Sequence, residues 1–235
     1  MTALDRRGQL DRDASSEELR SDVRFLGSLL GGVLREQAGD DLFRAVEEVR
    51  HLAIELREGD ARSLAPLLER AAALELSDAG AVARAFGIYF HLINTVEQHH
   101  RLRSLRSREL DDPERPRPES IEEAFASLPA EVPLERVEAL VRRLAVTPVF
   151  TAHPTESRRR TLLEHLGRLG AQVAANDQPR LTRSEGATVE QELVETITLL
   201  WLTEEVRPSQ PSVIYEVRSL LANVVDSVYE GAPKL

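Results

Sequence analysis

The sequence predicts a mainly α-helical protein, and three observations lead to that prediction. Apolar residues recur at steps of three and four over most of the 235 residues, as they do in helices that bury one face. Glycines, prolines and capping residues interrupt these patterns at intervals that suit helices of ordinary length. Only one stretch, from Ala145 to Ala152, has the composition of a β-strand.

Two helices are predicted before residue 60. The apolar stripe of the first consists of Leu19, Val23, Leu26, Leu30, Val33 and Leu34. Asp40 or Asp41 is placed to cap the second helix, and Gly59 is placed to end it. The stripe of that second helix consists of Leu42, Val46, Val49, Ala53 and Leu56.

Two further helices are predicted before residue 110. A short one covers Leu64 to Leu74, and Ser77 then opens the longest candidate, from Asp78 to about Arg108. The stripe of this long helix is broad and aromatic, so we expect the helix to lie deep in a layer of helices. Its members are Val82, Phe86, Phe90, Ile93 and Val96.

A linker is predicted from Asp111 to Pro118, because this segment has three prolines and no apolar residue. It separates a helical region over residues 1–110 from a third region over residues 119–235. The third region opens with the capping-box pattern of Ser120 to Glu123. A helix follows whose first position is expected at Pro133.

The strand candidate Ala145 to Ala152 precedes the last three predicted helices. Pro148 has no backbone N–H, so the strand cannot be hydrogen-bonded along both edges at that point. One strand makes no sheet; this segment is therefore either extended coil or a strand whose partners lie outside the chain. The helices expected after it cover Thr155 to Ala175, Thr188 to Glu205 and Ser212 to Tyr229.

The composition excludes several classes of function. A formal charge of −10 argues against a broad nucleic-acid-binding face. The absence of cysteine rules out disulfides, thiol catalysis and thiolate metal sites. No apolar run approaches the roughly 20 residues that span a bilayer, and the charged N-terminus does not read as a secretory signal. These features predict a soluble cytoplasmic protein.

The stretch VFTAHPTESRRRTLL, residues 149–163, carries the most specific chemical signal. Pro154 biases His153 towards extended backbone, and Thr155 is placed to cap the helix that follows. His153 is therefore expected beside a helix N-terminus, where free backbone N–H groups attract anions. Arg158, Arg159 and Arg160 are expected in the first turns, where positive charge is unfavourable by roughly 0.3–1 kcal/mol per residue. An external anion or acidic residues from elsewhere in the protein would explain them.

Structural interpretations compete with this one. A histidine after a strand is more often a structural hydrogen-bonding group than a catalyst. Three arginines on a helix usually form a solvated or salt-bridged face. His99 and His100 point about 100° apart on a helix, so both cannot easily bind one metal ion. From the residues alone, the stretch is an anion-binding histidine site of unknown chemistry.

The same stretch resembles the histidine signature of phosphoenolpyruvate carboxylases. That signature is Thr-Ala-His-Pro-Thr-Glu (or Gln), two variable residues, an arginine and a basic residue, which here are residues 151–160. LRSDVRFLGSLLGGVLREQAG, FRAVEEVRHLA and VARAFGIYFHLINTVEQHHRLR are similar to helices of the family that precede the signature. Six later residues fit a family pattern of Trp-x-Thr-Asp/Glu-Glu-x-Arg and a further Glu-x-Arg: Trp201, Thr203, Glu205, Arg207, Glu216 and Arg218. The loop over residues 208–215 departs from the family, which usually has Pro-Thr-Pro where this chain has Pro211-Ser212-Val213.

The resemblance implies a fold and a reaction. The family fold is rich in α-helices around a (β/α)8 barrel of the TIM type, so residues 119–235 would begin the barrel region and Ala145 to Ala152 would be one barrel strand. The family reaction converts phosphoenolpyruvate and bicarbonate into oxaloacetate and phosphate with Mg²⁺ or Mn²⁺. His153 would be the base that deprotonates carboxyphosphate. Family members are several-fold longer, which implies a truncated chain that is inactive alone and whose metal ligands lie in the missing part.

The resemblance also concerns the arginines and the assembly. In plant members the pair that matches Arg159 and Arg160 lines an activator site for a sugar phosphate, so these two residues are expected in an anionic effector site. The alternative is salt bridging to acidic residues such as Glu204 and Glu205. The full-length protein would be a homotetramer. Two other hypotheses stay open: a stand-alone helical binding or regulatory protein, and an enzyme that becomes phosphorylated on His153.

Overall fold

The structure is a computed structural model of the 235-residue chain. It describes residues 3–59, 64–114, 116, 120–145, 147, 159–178, 180–205 and 212–229. Within these ranges the side chains of residues 3–15, 219, 223 and 226–228 are not described.

The described chain is mainly α-helical, as the sequence predicts. Eight α-helices follow one another within the described ranges, and a π-helical segment, Val224–Tyr229, continues the last of them. No strand is present among the described residues. The helices are α1 (Ala3–Glu58), α2 (Ala65–Ala72), α3 (Leu76–Asp111), α4 (Ile121–Ala126), α5 (Leu134–Val141), α6 (Arg160–Asn176), α7 (Arg183–Leu202) and α8 (Val213–Asn223).

The chain divides into two compact units. One consists of Met1–His99 with Ser157–Leu235, and the other of His100–Glu156. The first unit contains α1, α2, most of α3, and α6 to α8, while the second contains the end of α3 with α4 and α5. The three-part organisation into residues 1–110, 111–118 and 119–235 stays a prediction.

The core of the first unit lies among α1, α3, α6 and α7. The apolar stripe predicted for the first helix is confirmed in its central part, where Leu26, Leu30, Val33 and Leu34 are buried. Helices α6 and α7 pack against each other, and α7 also packs against α1. The two later helices contribute the following buried apolar residues: Leu162, Leu169, Val173, Val189, Leu193, Ile197, Leu200 and Trp201.

A single glycine breaks α1. Gly39 has φ 87° and ψ 166°, which is not helical, and it separates the first half of α1 from the second. The capping position before the second half is therefore Gly39, and the prediction that Asp40 or Asp41 caps this helix is wrong. Both aspartates lie in the helix itself, in a first turn that favours negative charge. Gly59, with φ 82°, follows the end of α1 as predicted.

The stripe predicted for α3 is only partly correct. Val82 and Val96 are buried, but Phe90 is 58% exposed. Two successive steps of four residues from Val82 turn Phe90 about 80° to one side of the helix, whereas steps of three from Val82 turn the buried residues to the other side. The buried set is Val82, Ala85, Ile88, Leu92 and Val96. In the second half of α1, Ala53 is likewise exposed rather than buried.

Of the capping predictions in the second unit, the one at Ser120 is confirmed for the serine side chain and the one at Pro133 is wrong. The Ser120 side chain accepts a hydrogen bond from the backbone N–H of Glu123 at 3.0 Å, so Ser120 caps α4. Pro133 is the N-cap of α5, and the first helical residue is Leu134. The prediction that Pro133 occupies the first helical position is therefore wrong by one residue. Of the predicted strand 145–152, only residues 145 and 147 are described, and neither lies in a strand.

The helices of the C-terminal part begin where local capping groups allow. Helix α7 begins at Arg183, five residues before the predicted Thr188, because Thr182 and Glu185 form a complete capping box that the prediction overlooked. Ser212 caps α8 as predicted, accepting a hydrogen bond from the N–H of Tyr215. Helix α6 begins at Arg160 instead of near Thr155, which lies outside the described residues.

Candidate functional site

The structure describes only part of the predicted site. His153, Pro154, Thr155 and Arg158 lie outside the described residues. Arg159 and Arg160 are described and mark the beginning of α6. The geometry of the candidate site is therefore that of the two arginines and the residues around them.

Arg159 precedes α6 instead of lying in its first turn. It is the N-cap residue, with extended backbone at φ −71° and ψ 138°. Its Nη2 donates a hydrogen bond to Oε2 of Glu204 at 2.8 Å. The Arg159 side chain is about one-third exposed and that of Glu204 is 58% exposed. The acidic partner that the sequence analysis held as an alternative is thus present, on the segment that follows α7.

Arg160 points elsewhere. It is the first residue of α6, and its Nε donates to Oε1 of Glu164, one turn later, at 3.0 Å. Both side chains are more than half exposed. An intrahelical pair of this kind contributes about 0.3–0.5 kcal/mol. The two adjacent arginines therefore have different partners, one on their own helix and one on another element.

The residue after Glu204 contacts α3. Oε1 of Glu205 lies 3.4 Å from Nε2 of His91, whose side chain is 12% exposed. That nitrogen makes no directed hydrogen bond to any described residue, so the contact is electrostatic and depends on protonation of the ring. A Cβ at Gly87 would lie 3.7 Å from Oε2 of Glu205, an ordinary contact that shows how closely this carboxylate approaches the helix backbone.

A second contact holds the end of α7 against α3. Nη1 of Arg84 donates to the backbone oxygen of Trp201 at 3.2 Å. The guanidinium carbon of the same arginine lies 5.8 Å from the centre of the Trp201 ring, within cation–π range. Trp201 is itself buried. The carboxyl end of α7 is thus fixed to α3 by a backbone contact, a ring contact and a charge contact.

Two other histidines of the first unit, His99 and His165, have structural surroundings. Nε2 of His99 lies 3.0 Å from Oδ2 of Asp177, the residue that ends α6. His165 is buried on α6, and burial lowers the pKa of its ring below the ordinary value of 6.5, with Arg168 lowering it further. A neutral imidazole in this position is part of the core.

No metal site can be assembled from the described part of the chain. No group of three or more histidine, aspartate or glutamate side chains lies close enough there to hold a metal ion. The described residues therefore offer no donor set for a divalent cation. The expectation that metal ligands lie elsewhere stays a prediction.

Sequence reasoning found the arginines but missed most of their surroundings. His91, Arg84 and Gly87 received no role from the sequence, since nothing local marks them as neighbours of the end of α7. The one usable signal was the pair Glu204 and Glu205, whose negative charge is opposite to that of the arginines.

No helix in the described ranges is long and apolar enough to cross a membrane.

The site and the fold together define a class: a helical chain in which an arginine-bearing helix start is held to the end of a second helix. Comparison with known proteins narrows this class. The profile of the phosphoenolpyruvate carboxylase family matches residues 19–235. The chain belongs to the phosphoenolpyruvate carboxylase family.

The individual proteins to which the chain is similar are named phosphoenolpyruvate carboxylases. The phosphoenolpyruvate carboxylase of Roseiflexus castenholzii is 41% identical over 229 residues, which cover 96% of this chain and 24% of the relative. That of a Thermus species is 38% identical over 221 residues, or 93% of this chain and 24% of the relative. That of Rhodothermus marinus is 34% identical, covering 97% and 25%. The chain spans about a quarter of the length of these relatives, consistent with an N-terminal portion.

Proposed function

We propose that this chain is the N-terminal portion of a phosphoenolpyruvate carboxylase and supplies its catalytic base, His153. The observation that carries the proposal is the family match over residues 19–235, which includes the full histidine signature at 151–160. The whole enzyme would use phosphoenolpyruvate and bicarbonate, bind Mg²⁺ or Mn²⁺ through ligands outside this chain, and act as a cytoplasmic homotetramer.

The reaction proceeds in two chemical stages. A bicarbonate oxygen attacks the phosphorus of phosphoenolpyruvate, and the bond from phosphorus to the enol oxygen breaks, giving carboxyphosphate and the enolate of pyruvate. His153 then removes the carboxyl proton of carboxyphosphate, which separates into CO₂ and phosphate. The enolate carbon attacks CO₂ and forms oxaloacetate. A base that acts only in the second stage is dispensable for the first.

The test is His153→Asn in the full-length enzyme. Phosphate release that depends on bicarbonate is expected to persist, whereas oxaloacetate formation falls by about 10²–10⁴-fold, the usual contribution of a general base. Phosphate is measured directly, and oxaloacetate by its reduction with malate dehydrogenase. Equal loss of both products would contradict the role of His153 as a base of the second stage. Unchanged oxaloacetate formation would show that His153 takes no part in the reaction.

Arg159 and Arg160 belong, in this proposal, to an effector site for a phosphorylated activator. The planar guanidinium group binds phosphate or carboxylate through two parallel hydrogen bonds, which supports this role. Their ion pairs with Glu204 and Glu164 are partly exposed, so an anion from solution has access to the guanidinium groups. Changing both arginines to glutamine is expected to abolish activation while the unactivated rate is kept. A collapse of the unactivated rate in a folded variant would place the arginines in the catalytic centre.

A further inference from the structure

An open cavity of about 510 Å³ lies between α1 and α3 in the first compact unit. Both parts of α1, before and after Gly39, contribute to its walls, and every residue that lines it belongs to that unit. None of the described residues around Arg159 and Arg160 takes part. Cavities of roughly 300–1,000 Å³ are of the size that binds small organic molecules.

The walls of this cavity are mainly aromatic. Phe43 comes from the second part of α1, and Phe86 and Tyr89 come from α3. Gly27 lies opposite them on the first part of α1, where a Cβ would be 3.6 Å from the Tyr89 ring. Because no side chain stands at Gly27, the cavity keeps this space free beside the rings. Such walls favour a flat apolar body over a polar or strongly branched one.

The rim of the cavity carries an excess of positive charge. Three arginines and one glutamate line it, in a chain whose formal charge is −10. Two of the arginines are already paired. Arg50 donates two hydrogen bonds to Glu47, at 2.9 and 2.7 Å, and Arg24 donates one to Glu17 at 2.6 Å. The third arginine is Arg35.

Arg35 is the cation at this rim that is still able to bind an anion. Its guanidinium carbon lies 3.7 Å from the centre of the Phe43 ring, a cation–π contact that holds the group beside the aromatic wall. The nearest carboxylate oxygen, on Asp40, is 3.8 Å from Nε and beyond hydrogen-bond distance. The guanidinium group makes no hydrogen bond to any described residue. Its planar fork matches a carboxylate.

We propose that this cavity is a binding site for a small aromatic carboxylate. The ring of the ligand lies among Phe43, Phe86 and Tyr89, and its carboxylate accepts hydrogen bonds from Arg35. One unpaired guanidinium group neutralises a single negative charge, which favours a carboxylate over a doubly charged phosphate. The proposal does not depend on the role of His153, since its readout is binding and not activity.

The first test uses cinnamate and its neutral analogue cinnamamide as probes, with binding to the full-length enzyme measured by equilibrium dialysis. Cinnamate is expected to bind about three- to tenfold more tightly, the range for a partly exposed charged hydrogen bond. Arg35→Gln is expected to remove this preference. Arg44→Gln is the matched control, because Arg44 is also exposed on α1 and pairs with Asp41 but does not line the cavity.

A second pair of variants tests the location of the site. Gly27→Ala adds a methyl group to the wall and is expected to weaken cinnamate binding about threefold or more. The added Cβ makes only an ordinary contact with Tyr89, so the variant is expected to fold. Gly32→Ala is its control, since Gly32 lies in the same helix, does not line the cavity and has no atom within 4 Å of an added Cβ. Circular dichroism checks the fold of both.

Several results would overturn the proposal. Failure of cinnamate to bind up to its solubility limit would do so, as would equal binding of cinnamate and cinnamamide. Insensitivity to Gly27→Ala, or equal weakening by Gly32→Ala, would show that the ligand binds elsewhere. Binding to the 235-residue chain but not to the full-length enzyme would show that the rest of the enzyme fills the cavity. A dimer of the 235-residue chain that Gly27→Ala dissociates would show that a second copy fills it.

Discussion

Helices α7 and α8 begin in the same way and end in different surroundings. Each has a hydroxyl residue at its N-cap that accepts a hydrogen bond from the N–H three residues later, Thr182 in α7 and Ser212 in α8. Leu193 of α7 is 0% exposed, whereas Leu220 of α8 is 50% exposed. The exposed apolar residues of α8 and its π-helical continuation are Val213, Ile214, Val217, Leu220, Leu221, Val225 and Tyr229.

The difference shows that helix formation and burial are separate properties, although one sequence pattern is often used to predict both. Capping residues and apolar spacing decide that a segment is helical, and they are present in both helices. Burial requires a partner, and α7 has α6 and α1. The described residues do not cover the apolar side chains of α8. The compared relatives are about four times as long as this chain, and the proposed function predicts that the remainder of such an enzyme covers α8.

The largest expected effect on this comparison comes from a matched pair of leucine-to-alanine substitutions in the 235-residue chain. Leu193→Ala is expected to lower the free energy of unfolding by about 2–5 kcal/mol, because it empties a fully buried site. Leu220→Ala is expected to lower it by less than about 1 kcal/mol, because half of that side chain is already in water. Urea unfolding followed by circular dichroism measures both. Equal losses would mean that α8 is buried in solution, for example by self-association, which dilution would reveal.

A smaller effect is expected at the two caps. Thr182→Ala removes the bond from the Glu185 N–H and disrupts the capping box, at a cost of about 1 kcal/mol in the free energy of unfolding. Ser212→Ala is expected to speed hydrogen exchange in the first turn of α8 without moving the global unfolding midpoint, since α8 contributes little to the core. Replacement of Thr182 by serine keeps the acceptor and serves as the control. A global loss from Ser212→Ala as large as that from Thr182→Ala would show that α8 is part of the cooperative unit.

The smallest effect comes from pH. Because burial lowers the pKa of His165, the unfolded chain takes up a proton more readily than the folded one. The stability that the neutral ring contributes is present above pH 6.5 and is lost as pH falls below 6.5 towards the folded pKa. Glu164 offsets part of this shift, which keeps the change modest. His165→Gln is expected to weaken the dependence of the free energy of unfolding on pH in this window. The same slope in the variant would assign the effect to other groups.

The fold was predictable from the sequence where the signals were local. The stripe of Leu26, Leu30 and Val33, the stop at Gly59 and the cap at Ser212 all depend on residues within one or two turns. Phe90 was misplaced because its exposure depends on which face of α3 the neighbouring helices cover. The start of α7 was misplaced because the capping box of Thr182 and Glu185 lies before the apolar pattern begins.

The candidate site was predictable only in part, for a related reason. The motif around His153 is a contiguous string, so it could be found by reading, and its catalytic role stays a prediction. The link from Arg159 to Glu204 spans 45 residues, and the link from His91 to Glu205 spans more than a hundred, so no periodicity points to either. Opposite charge suggested Glu204 as a partner, but charge alone does not say which of the adjacent arginines it meets.

The break at Gly39 has a consequence for the order in which the chain folds. A Cβ on Gly31 would lie 3.1 Å from the ring of Phe43. The parts of α1 before and after Gly39 therefore pack against each other, and they are also neighbours in sequence. Closing so short a loop costs little conformational entropy, whereas the contacts of α1 with α7 join distant parts of the chain. We expect the paired halves of α1 to form early, before α6 and α7 arrive to complete the core. The positive φ of Gly39, which lets the two parts of α1 pair locally, is therefore expected to speed folding.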